Sequence, residues 1–124
     1  MMEGRRQATP SELGRGWHPR EQEWLTQFRA WLVTNHARAI SDIIVYGSRA
    51  RGDWNEDSDI DVLLIVKDEA EHMQKELREK GYDLADHSAM LPSILTRTEE
   101  EWAARGANGL LFHEQVERDG VSVL

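Results

Sequence analysis

Residues 43–66 read "IIVYGSRARGDWNEDSDIDVLLIV". Two apolar runs flank a stretch with two glycines, two arginines and five acids. Ile43–Tyr46 is β-branched and aromatic, the composition of a strand. Asp59–Val66 alternates acid and apolar at its start and turns apolar on both faces at its end. That pattern predicts a second strand in mid-sheet, one end of which reaches a site.

Three chemistries compete for the loop. Gly47 and Gly52 have the spacing of a phosphate loop, but Asp53 and Trp54 stand where Lys and Ser/Thr are needed. Asp53, Asn55 and Asp57 begin like a calcium loop, but Ser58 replaces the turn glycine and Leu64 the distal acid. The third is a carboxylate pair. Asp59 and Asp61, two apart on a predicted strand, leave the same face. Carboxylates about 5 Å apart repel by roughly 3 kcal/mol at an effective dielectric of 20. A hard divalent cation such as Mg²⁺ relieves that repulsion and also suits phosphate oxygens. Gly47 allows close backbone approach, and Ser48 offers a hydroxyl and an N–H. If a helical turn begins at Ser48, its dipole also favours an anion. The loop then has a phosphate end (Gly47, Ser48, with Arg49 beside them) and a metal end (Asp59, Asp61). The plainer alternative makes Asp53, Asn55, Glu56 and Asp57 hairpin-turn residues, with Arg49 and Arg51 paired to them.

Composition limits the choices. At 124 residues the chain fits one domain, burying roughly 60–70% of its unfolded surface. No apolar run is long enough for a membrane span, and the start lacks a secretory signal's apolar core. Without cysteine there is no disulfide, thiolate catalysis or cysteine-held zinc. A cytoplasmic location suits these features. The net charge of −8, with no basic run, argues against direct DNA or RNA binding. It leaves room for a metal-bridged nucleotide or a basic protein partner.

Residues 1–18 read as a flexible arm, and residues 19–124 as the domain. Pro19 suits the first turn of a helix that puts Trp24, Phe28, Trp31 and Leu32 on one face. Asp68 opens a second helix and Gly81 stops it. Ser88–Leu95 is a strand interrupted by Pro92, and Thr98 begins a capping-box helix. A short helix or turn closes on Gly120, and "VSVL" ends as a strand. The five histidines form no ligand pair at helical spacing and read as packing or surface residues. The order of elements predicts an α/β (α+β) fold: a small mixed sheet with helices mainly on one side.

The stretch from Gly47 to Val66 resembles the signature of the DNA polymerase β-like nucleotidyltransferase superfamily, nearest its minimal nucleotidyltransferases. That signature is Gly-Ser, ten residues, then Asp-x-Asp, here Gly47-Ser48 and Asp59-Ile60-Asp61. The resemblance implies transfer of a nucleoside monophosphate, with ATP the expected donor, to a hydroxyl. Asp59 and Asp61 would hold Mg²⁺, and Gly47 and Ser48 the triphosphate. It also implies a third carboxylate on a later strand. "SAMLPSIL" has no acid, which leaves Asp86, or Asp83 before it, as candidates for a third catalytic acid. Some members are antitoxins that transfer AMP to a tyrosine of a HEPN-type helical toxin, so a partner of that kind is expected. The alternatives are an inactive nucleotide-binding module and an aminoglycoside-type small-molecule transferase.

Overall fold

The structure, a computed structural model, describes residues 5–56, 58–87 and 90–124. Asp57 of the expected turn, Ser88 at the start of the expected third strand, and residues 1–4 of the arm lie outside them.

The Ile43–Tyr46 run extends into β2 (Ile40–Tyr46), and the second run forms β3 (Asp61–Val66). They pair antiparallel, with Tyr46 opposite Asp61 and Ile43 opposite Leu64. β4 (Ser93–Thr98) joins β3 in parallel, with Ser93 opposite Asp61. On the other flank β5 (Val121–Ser122) pairs with β2, and β1 (Arg6–Gln7) forms the edge. The sheet order is β1-β5-β2-β3-β4.

Alternation along the strands sends side chains to two faces. On one, Ile43, Val45, Val62, Leu64 and Ile94 meet α2 (Pro19–His36) and α4 (Gln74–His87) through Trp24, Phe28 and Leu77. On the other, Ile44, Leu63 and Ile65 are covered by Trp102 of α5 (Glu99–Ala107) and Val116 of α6 (Leu111–Asp119). The two long helices thus share one face, and the two short ones cover part of the second. Each fully buried Leu, Ile or Phe contributes roughly 1.5–3 kcal/mol. No helix among the described residues is long and apolar enough to cross a membrane.

The structure corrects several local expectations. Residues 5–18 do not form a free arm. β1 joins the sheet, α1 (Pro10–Leu13) carries a Thr9–Glu12 capping box, and Trp17 is buried. Arg5 ties this segment down through Asp42 and Glu117. Gly81 does not stop a helix but lies inside α4. A methyl there would sit 2.5 Å from Ile94 Cδ1 and 2.8 Å from Phe28 Cζ, and Trp24 Nε1 donates to the Gly81 carbonyl at 2.9 Å. The glycine is needed for close packing, and the helix runs on to His87. The helix expected to begin at Asp68 opens instead as a 3₁₀ segment, Asp68–Met73. β4 begins at Ser93, so Met90, Leu91 and Pro92 of the expected strand precede it; the missing N–H of Pro92 suits a strand's point of entry.

Candidate active site

The site lies where β2 ends and β3 and β4 begin. Gly47 leaves β2 with φ 72°, left-handed backbone that glycine adopts without strain. A single helical turn, α3 (Ser48–Arg51), follows, and Gly52 closes it, also left-handed at φ 90°. The Gly47 Cα faces Asp61. A Cβ built on Gly47 would run into Asp61 Oδ2. The glycine is therefore required twice, once for its backbone angle and once to make room for a carboxylate.

Asp61 is half-buried, and Asp59 is exposed. Only Asp61 belongs to the strand; Asp59 precedes it, so the pair does not share a regular strand face. Burial, followed by the charge of Asp59, raises the Asp61 pKa above the ordinary carboxylate value; Arg51 and Arg49 oppose this. Across β2, Tyr46 is pushed up to about 12, first by burial and then by Asp61. Tyr46, Asp61 and Ser93 thus form one row across three strands, on the face that α5 and α6 leave partly open.

Arg49 points the other way. It is 3% exposed, and its guanidinium donates to Glu21 Oε2 at 2.7 Å and to the Ser58 carbonyl at 3.1 Å. It also lies 4.4 Å from the centre of the Trp54 ring. Arg49 therefore organises the 52–58 loop and pins it to the start of α2, where Glu21 also accepts from the His18 N–H in a capping box. Its alternative pairing with the loop acids is seen instead at Arg51, which reaches Asp53 and Asp119. Glu21, 28 positions away, leaves no mark in the sequence that would link it to Arg49.

Beside Asp59 a cavity of about 180 Å³ is lined by Arg20, Glu21, Glu56, Ser58 and Leu91. It shares Arg20, Glu21 and Glu56 with a larger one of about 610 Å³ that reaches Trp17 and Trp54. Asp83 and Asp86 are in neither. Both are exposed residues of α4, lining a neighbouring cleft of about 440 Å³ with Tyr82 that meets the cavity at Asp59 through Leu91. α4 packs on the sheet face opposite to Asp61, and the strand expected to carry an acid starts only at Ser93. The structure does not bring Asp86 into the row with Asp61.

The residues present suit one hard cation. Asp59 and Asp61 supply carboxylate oxygens, and Gly47 leaves room against Asp61 Oδ2. Among the described residues no group of three or more acids or histidines gathers as a metal cluster.

Residues 11–117 match the model of the nucleotidyltransferase domain. The chain belongs to the nucleotidyltransferase domain family. Two proteins of Methanocaldococcus jannaschii, provisionally named as protein adenylyltransferases, are 39% identical over 46 residues and 40% identical over 45. These matches cover 37% and 36% of this chain. The chain spans less than half the length of these curated relatives, 46% and 45%. A Sulfolobus solfataricus protein, provisionally described as a nucleotidyltransferase, superposes with a TM-score of 0.48 at 16% identity. The superposition covers 81% of this chain and 76% of that one.

Proposed function

We propose that this nucleotidyltransferase domain binds ATP with Mg²⁺ and transfers AMP to a hydroxyl of a partner protein. The observation that carries the reading is the contact of Gly47 with Asp61, which joins the loop's phosphate end to its carboxylate end. Asp59 and Asp61 would hold the ion, whose contribution is to neutralise phosphate charge and orient the triphosphate. Ser48 would donate its hydroxyl and backbone N–H to phosphate oxygens, in the manner of a preorganised anion site. The acceptor oxygen would bond to the α-phosphorus as the bond to the β-phosphate oxygen breaks; pyrophosphate leaves and the acceptor loses its proton. Most of the rate gain in such a site comes from positioning and charge neutralisation.

The M. jannaschii relatives' names support a protein acceptor, and a tyrosine of a HEPN-type toxin is the acceptor this reading favours. Calorimetry tests the donor side. ATP should bind with Mg²⁺ and lose most of its affinity in chelator. Equal affinity in both conditions would remove the reading. A second reading, a nucleotide-binding module with weak transfer, is favoured by β4, which has no acid at any position.

A further inference from the structure

We infer that this chain holds a single divalent ion, and that Ser93 occupies the place from which a carboxylate would bind a second. The inference rests on the metal-nucleotide reading above and specifies how many ions that site takes.

The row Tyr46–Asp61–Ser93 crosses β2, β3 and β4 at one level. Strands lie about 4.8 Å apart, so side chains at paired positions on one face are immediate neighbours. Asp61 therefore has two lateral neighbours. Tyr46 is half-buried and brings a phenol, not a carboxylate, to that row. Ser93, half-buried, presents at most a neutral hydroxyl. On the Asp61 face, β4 continues with Leu95 and Arg97, so the next polar group along it is a cation. The face thus carries one carboxylate where it meets the strand row, and Asp59 approaches from the loop.

Two-ion phosphoryl chemistry places the ions about 3.5–4 Å apart, so a second divalent charge needs further anionic oxygens beside the first. Two aspartates neutralise one such ion. A second ion between Asp61 and β4 would face Ser93, whose hydroxyl brings no charge to hold it. The chain thus escorts a triphosphate, while activation of the acceptor oxygen finds no carboxylate on β4. That task falls to the acceptor side of the complex.

The test counts ions. Mn²⁺ bound per chain is titrated by electron paramagnetic resonance with α,β-methylene-ATP, a non-cleavable analogue. Wild type should bind one Mn²⁺, and Ser93→Asp two. Ser93→Asp should also melt lower than wild type in chelator and recover more on adding Mn²⁺. Should Ser93→Asp not fold, Ser93→Glu reaches the same place with a longer side chain, and the wild-type count decides in any case. Two ions on wild type, or one on a folded Ser93→Asp or Ser93→Glu, overturns the inference and leaves the metal-nucleotide reading standing. No ion on wild type overturns both.

Discussion

Asp61 is held against its own chemistry. Its carboxyl is partly buried beside Asp59, and both effects favour the protonated form. A folded-state pKa above the unfolded value means this group supports the fold fully at pH below the unfolded pKa. That support is lost as pH rises through the folded pKa. At neutral pH the ionised Asp61 therefore weakens the metal-free fold. Asp61→Asn should melt above wild type in chelator at pH 7, and the difference should close as the pH falls towards 4. The repulsive part is modest, since Asp59 is exposed and screened; roughly 0–1 kcal/mol is expected for such a pair. With Mg²⁺ and ATP the order should reverse, because only wild type gains from the ion. A variant that melts below wild type in chelator would show that Asp61 is structural. Gly47→Ala makes the complementary test. At φ 72° and ψ −154° a non-glycine residue pays roughly 1–3 kcal/mol, and the added methyl must displace the Asp61 carboxylate. Loss of nucleotide affinity by tenfold or more is expected, with a fold that still melts cooperatively.

Among the elements, the 52–58 loop shows how a charged stretch can be both site and scaffold. Its motif was legible in the sequence because spacing along one chain is what sets the Gly-Ser to Asp-x-Asp geometry. The role of Arg49 was not, because its partner lies on α2 and its stacking partner is Trp54. A local pattern cannot tell a guanidinium that grips a phosphate from one that grips Glu21. Removing one partner of a buried ion pair costs about 3–5 kcal/mol, so Arg49→Ala should lower urea stability by roughly 3 kcal/mol. If Arg49 instead touched nucleotide alone, affinity would fall with the urea midpoint unmoved. The same distinction explains Gly81. As a local signal it reads as a stop, but the methyl-free surface between Phe28 and Ile94 is a tertiary requirement. Gly81→Ala should destabilise by about 1–3 kcal/mol through overpacking, measured by thermal melting, despite alanine's better helix propensity. The Thr98–Glu101 capping box, by contrast, was visible from sequence because every group in it is local.

At the scale of the molecule, α5 and α6 leave one end of the Asp61 face open. The net charge of −8 disfavours a polyanion and favours a basic surface. Leu91 is 84% exposed beside the cavity at Asp59. Under the proposed reading, a partner would bring a basic rim and an apolar contact to Leu91. Charges at the edge of such an interface act mainly on the association rate, and they are screened by salt within about 10 Å at 0.1 M. Co-expression with the adjacent open reading frame should therefore yield a complex whose association slows as salt rises while its dissociation changes little. Leu91→Asp should do the opposite, speeding dissociation with the association rate nearly unchanged. Supplying ATP and Mg²⁺ to the complex should add one AMP mass to a hydroxyl of the partner, and Asp61→Asn should abolish that addition without dissolving the complex. A chain that stays alone in all these conditions, yet adenylylates a small alcohol, would move the acceptor from a protein to a small molecule and leave the nucleotide site as described.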